Sequence, residues 1–168
     1  MLVTPVTIVK RQELFYSNSK MNKKTDEILD LRQFFPYRLA VLEQRVGIAT
    51  SRHYRHDFDL SRVEWRVMAT LAMFDSISAT DICEFSHMAK MQVSRAIARL
   101  REKSLVIQKV SESDHRATQL SLTEDGQKIY RSIVPRVLRE EQTILGYLSA
   151  SERGQLQKIL DKLEDALA

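Results

Sequence analysis

From residue 28 onward, apolar positions recur at steps of three and four, the spacing that gives a helix one buried face. Ile28, Leu31, Phe35, Leu39, Leu42 and Val46 make the first such stripe. Thr25 can cap it, and Asp26 and Glu27 suit the positive end of a helix. A helix is therefore predicted from Thr25 to about Tyr54, kinked or restarted at Pro36. Asp57-Phe58-Asp59 reads as a short polar connection. Ser61-Arg62-Val63-Glu64 is a capping box opening a helix whose apolar residues include Trp65, Met68, Ala69 and Leu71. Phe74–Ile77 reads as a turn. Ser78-Ala79-Thr80-Asp81 is a second capping box, opening a short helix through Ile82 and Phe85. After a turn at Ser86–Lys90, the segment Met91–Lys103 is amphipathic. Val93, Ile97 and Leu100 form its buried stripe, and Gln92, Arg95, Arg99 and Lys103 lie elsewhere.

The pattern then changes. Leu105–Val110 and Thr118–Leu122 are rich in β-branched and aliphatic residues and flank the polar run Ser111–Arg116, which predicts a β-hairpin with an exposed tip. Thr123-Glu124-Asp125-Gly126 starts a long helix that Pro135 should bend. Ser149-Ala150-Ser151 interrupts it, and Ser151 is the expected cap of a last helix with Leu156, Ile159, Leu160 and Leu163 on one face. The predicted fold is mainly α with a small β-hairpin wing: a winged helix-turn-helix with N- and C-terminal dimerisation helices. The expected divisions are an N-terminal arm over 1–25, a dimerisation helix over 26–56, the winged domain over 57–122 and C-terminal dimerisation helices over 123–168. The dimer follows from the terminal helices, whose apolar faces are separated by a self-sufficient winged domain. A twofold partner would cover them; packing of the two helices within one chain is the alternative.

Composition removes several classes. The 168 residues are 43% hydrophobic, enough for a core. One cysteine, Cys83, excludes an internal disulfide framework and a paired-cysteine metal site, and fits a cytoplasmic location. His53, His56 and His87 do not form a convincing metal set. No apolar run approaches the roughly 20 residues of a membrane span, and Met1–Lys10 is a poor secretory signal. No nucleophile–base pair, apolar carboxylate pair or phosphate loop is visible, so no enzyme, cofactor or metal is expected. The net charge of +4 lies in residues 1–25, where Lys10, Arg11, Lys20, Lys23 and Lys24 oppose Glu13 alone. The rest of the chain is neutral overall.

One local concentration survives this accounting. Lys90–Lys109 holds Lys90, Arg95, Arg99, Arg101, Lys103 and Lys109 against Glu102, a local +5 on or beside one amphipathic helix. Such a helix fits the major groove of DNA. Gln92 can pair bidentately with adenine, Arg95 with guanine, and Ser94 with a base or a phosphate. A solvated helix face is the bland alternative, weakened by the hairpin that follows.

Four blocks in order resemble the MarR family of bacterial transcription regulators: Leu60–Met68, Val93–Leu100, Asp114-His115-Arg116 and Leu120–Gly126. Phe35-Pro-Tyr-Arg-Leu39 and Glu64-Trp-Arg-Val-Met68 are similar to a subgroup that includes regulators of aromatic-acid catabolism. The resemblance implies a homodimer on a pseudo-palindromic operator, with Met91–Lys103 as recognition helix; the basic amphipathic pattern makes Lys90, Gln92, Ser94, Arg95 and Arg99 the residues expected to face DNA. The resemblance places a minor-groove arginine at Arg116, with Asp114 as its motif partner and His115 beside it. Two positions depart from the pattern. Ala117 stands where many members carry a second basic residue, and Ser104 where many carry glycine.

The resemblance also implies release from DNA by a small molecule, here an aromatic acid. Tyr37, Arg38, His53, Trp65, Arg66 and Met68 are the candidate ligand contacts, since a carboxylate needs a cation in a mostly apolar pocket. Arg38 can equally pair with a carboxylate such as Glu43, and Trp65 can be core. Members that sense oxidants place their thiol in the first helix, so Cys83 reads as buried and inert. A response to an antibiotic or an oxidant, or a winged-helix protein-interaction module, are the competing functions.

Overall fold

Pro36 restarts the chain as a helix rather than bending one. Helix α1 runs Phe35–Arg55, with Pro36 in its first turn, where a missing N–H breaks no intrahelical bond. The computed structural model describes residues 29–74, 76–110 and 118–167. The expected arm over 1–25 and the expected helix start at Thr25 lie outside them. Two compact units are distinguished, Met1–Arg38 and Leu39–Ala168. In the first, the described residues before α1 form a turn rather than the expected helix, with Arg32 Nε 2.8 Å from Asp30 Oδ1.

In the second unit the chain continues through α1 to a tight connection in which Asp59 takes a left-handed conformation (φ 49°), one that aspartate tolerates better than most residues. The connection is less polar than its sequence suggests. Phe58 packs against the core, and the Arg136 guanidinium sits 5.6 Å over its ring while donating to Asp57 at 2.6 Å. Helix α2 is Arg62–Met73, and its capping box is complete. Ser61 Oγ accepts from the Glu64 amide at 3.2 Å, and Glu64 Oε2 accepts from the Ser61 amide at 2.6 Å. Helix α3, Ala79–Ser86, repeats the device with Ser78 and Asp81, and stops at His87 in a left-handed cap. Helix α4 is Lys90–Glu102.

Ile77–Ser78 is strand β1, not the turn expected there. Strands β2, Val106–Val110, and β3, Thr118–Leu122, pair antiparallel with Val106 opposite Leu122 and Val110 opposite Thr118. β1 adds to the free edge of β3, Ile77 opposite Leu120, giving the order β1-β3-β2. The hairpin tip over 111–117 lies outside the described residues. Helix α5, Glu124–Leu145, is capped by Thr123 and runs on through Pro135. Helix α6 is Ala150–Leu167. Its cap is Ser149, not Ser151: Ser149 Oγ accepts from the Glu152 amide, and Glu152 Oε2 returns the bond to the Ser149 amide at 2.8 Å. The bonds that the Glu152 carboxylate accepts from the Ser149 amide and, at 2.7 Å, from Ser149 Oγ hold its pKa below the usual value.

One core joins the end of α1, α2, α3, α4, the sheet and the first half of α5. Val67, Met68, Ile82, Val93, Leu100 and Ile133 are fully enclosed in it. Gly126 permits the closest approach, since a Cβ there would lie 2.2 Å from the Leu105 carbonyl oxygen. By contrast, every described residue of α6 is exposed.

Candidate functional site

Two faces of the second unit carry the candidate chemistry. On α4 the apolar stripe is Val93, Ala96, Ile97 and Leu100, all buried. That burial turns Lys90, Gln92, Ser94, Arg95 and Arg99 outward together, all exposed. The helix opens at Ala89 with no side-chain cap, so its first amides are available to water or to an anionic group. Arg99 and Arg101 lie in the last turn, where the helix dipole favours cations.

Glu64, 2% exposed, is a buried carboxylate under this helix. Arg99 Nη1 lies 3.9 Å from it and Lys103 Nζ 4.0 Å. Lys103 also reaches the Asp59 backbone carbonyl and, at 3.1 Å, the Asp59 carboxylate. Two of the six basic residues in the strip therefore help seat α4 on α2. Sequence charge counting treats all six alike. Lys90, Arg95, Arg101 and Lys109 make no ion pair among the described residues. The wing candidates His115 and Arg116, with Asp114, lie outside the described residues.

The second face is a cavity of about 380 Å³ between α1 and α2. From α1, Leu39, Leu42, Val46 and Tyr54 line it, and from α2, Arg62, Trp65 and Arg66. Trp65 is sandwiched, its ring 5.4 Å from Tyr54 and 5.6 Å from Tyr130, nearly parallel to both. Burial raises the pKa of the Tyr54 phenol, against a smaller opposing hydrogen bond with Thr50. Arg66 Nη2 donates to the Ser86 carbonyl at 2.7 Å, which ties the cavity wall to the end of α3.

The predicted ligand residues separate here. Trp65 and Arg66 come together at the cavity. Met68 is wholly enclosed in the core. His53 Nε2 meets Glu140 Oε2 at 3.0 Å, and Arg52 reaches the other oxygen at 3.2 Å, so this histidine links α1 to α5. Tyr37 and Arg38 belong to the first unit, where both are exposed. Glu43, considered as a partner for Arg38, pairs with Arg62 instead. Arg62 was not among the sequence candidates. Its signal was Gly47, a glycine inside a helix: a Cβ there would lie 2.9 Å from Arg62 Nη1, so the guanidinium lies against bare backbone.

Cys83 is half-buried rather than buried, and lines a separate cavity of about 490 Å³ with Val93, Ile97 and Leu120. Among the described residues no group of three His, Cys, Asp or Glu could hold a metal, and no helix is long and apolar enough to cross a membrane.

Residues 58–117 match the model of the MarR family. The transcriptional regulator HosA of Escherichia coli O127:H6 is 24% identical over 111 residues, which span 66% of this chain and 82% of that protein. Two solved structures share the fold. One is Bordetella bronchiseptica BpsR, described as regulated in its DNA binding by 6-hydroxynicotinic acid (TM-score 0.74, 22% identity, 82% of this chain and 98% of that one). The other is the S. aureus MepR–DNA complex (TM-score 0.72, 21% identity, 79% and 98%).

Proposed function

We propose, from the match of residues 58–117 to the MarR family model, that the chain is a ligand-responsive transcriptional regulator of that kind, a repressor that holds a pseudo-palindromic operator as a homodimer. A small aromatic carboxylate releases it. The observation that carries this reading is the outward row Lys90, Gln92, Ser94, Arg95 and Arg99 on a helix whose opposite face is locked into the core. Gln92, Ser94 and Arg95 read base edges in the major groove. Lys90 and Arg99 bind phosphates, and Arg116, with His115, enters the neighbouring minor groove. The effector lies between α1 and α2, with its ring on Trp65 and its carboxylate on Arg66 and Arg62. BpsR, whose described regulator is a small aromatic acid, supports that chemistry by analogy of fold.

The test is paired. A thermal-shift screen of benzoate, hydroxybenzoates and 6-hydroxynicotinate is followed by DNA anisotropy on the chain's own promoter fragment. One compound is expected to raise the melting temperature and to weaken DNA binding at least tenfold. Arg95→Ala should cost about 1–3 kcal/mol of operator affinity, and binding should fall steeply with salt. Salt-independent DNA binding, untouched by Arg95→Ala, would overturn the regulator reading in favour of a protein-interaction module. Tight, salt-dependent binding that none of these carboxylates relieves would leave an antibiotic or an oxidant as the signal.

A further inference from the structure

A third cavity, of about 500 Å³, opens where the end of α2, the two wing strands and the first turns of α5 meet. Leu71 and Leu122, both buried, and Phe74 supply apolar wall. The polar groups are unusually one-sided. Lys109 and Arg131 bring two positive charges, with the Ser121 and Tyr130 hydroxyls and the Gln127 amide beside them. No carboxylate lines the cavity among the described residues. Arg131 Nη2 donates to Gln127 Oε1 at 2.8 Å, one helical turn back, which restricts the guanidinium while leaving its other N–H groups available. Two cations, hydroxyl donors and a flat aromatic wall in a cavity of this size are the complement of a compact anion with an apolar body.

Tyr130 adds a connection. Its ring is the outer member of the Tyr54–Trp65–Tyr130 stack, and the other two rings line the α1–α2 cavity. The two cavities therefore share one column of aromatic rings, 5.4 and 5.6 Å between centroids.

We propose that the cavity between α2, the wing and α5 is a second ligand site, for a small aromatic carboxylate held by Arg131 and Lys109. The carboxylate accepts from the two cations, and the aryl body lies on Phe74 and Tyr130. Because Tyr130 stacks on Trp65, occupancy of this site is felt at the rings of the α1–α2 cavity. The site stands whether or not the α1–α2 cavity takes the effector.

Equilibrium dialysis of labelled benzoate against the full chain tests this, with Trp65, the chain's single tryptophan, as a fluorescent reporter that lines the α1–α2 cavity and stacks on Tyr130 of the second. Wild type should bind two benzoates per chain. Arg131→Gln should weaken one of the two about tenfold and leave the other unchanged, and Arg131→Lys should retain most of the binding. Arg131 is exposed, so both variants should keep the wild-type melting temperature. Arg66→Gln should instead weaken the other site. If wild type binds one benzoate and Arg131→Gln abolishes it, the second site stands and the α1–α2 assignment falls. Unchanged affinities at every site in Arg131→Gln overturn the proposal, as does no benzoate binding at all. A flatter salt dependence of DNA affinity in Arg131→Gln, without a change in benzoate binding, would assign these cations to DNA phosphates and likewise overturn it.

Discussion

Ser104 shows how a single residue can depart from a pattern at tolerable cost. It ends the turn after α4 with φ 57°, left-handed, where the resemblance leads one to expect glycine. The carbonyl of Ser104 accepts from Thr123 Oγ1 at 2.8 Å, so the strained residue is pinned by the cap of the next long helix. Left-handed backbone costs a non-glycine residue about 1–2 kcal/mol, while glycine loses about 0.4–1 kcal/mol through unfolded-chain entropy. Ser104→Gly should thus raise the stability by about 0.5–1 kcal/mol in urea unfolding, and a loss of stability would show that the strain is absent. Residue chemistry was legible in the sequence where a local rule governs it. The two capping boxes and the outward row on α4 are of this kind. It was not legible where depth decides. Trp65 and Met68 sit three apart on one helix, yet the first lines a cavity and the second is sealed in the core. Spacing specifies a face, and what packs over that face lies elsewhere in the chain. Cys83 and His53 were opaque for the same reason.

At the scale of elements, β3 could be read residue for residue because its pattern changes abruptly from that of the helix before it. β1 could not be read, because two residues carry no periodicity. It forms because β3 has a second edge whose backbone groups need partners. The glycine of the Leu120–Gly126 block now has a physical reason. Gly126 lies in the first turn of α5, where the helix meets the Leu105 carbonyl, itself the acceptor for the Thr123 amide at 3.0 Å. A methyl group would enter that contact at 2.2 Å, and its neighbour is backbone that cannot swing away. Gly126→Ala should therefore cost about 1–3 kcal/mol and loosen the base of the wing, read as a lower melting temperature and faster amide exchange over 105–107 and 120–122. An alanine variant as stable as wild type would mean that α5 can shift at no cost.

For the whole molecule, the exposed apolar residues on α6 matter most. Leu156, Ile159, Leu160 and Leu163 are all exposed, along a helix with no buried residue. A stripe of this kind is what an isologous interface covers. The double change Leu156→Glu with Leu163→Glu should give a monomer in sedimentation velocity at micromolar concentration, and lower operator affinity at least a hundredfold as the two half-sites lose their linkage. A persisting dimer would place the interface elsewhere. The buried Glu64 has a different kind of consequence. Its bonds to Ser61, and its nearness to Arg99 and Lys103, hold α4 from below and near its C-terminal end, whereas Gln92, Ser94 and Arg95 sit near the opposite end, outside that clamp. On the proposed reading, foundation and alphabet are thus physically separate. Substitutions within one turn of helix can drift toward a new operator while the chassis that presents them stays the same, and a library confined to those three positions is where altered sequence preference should first emerge.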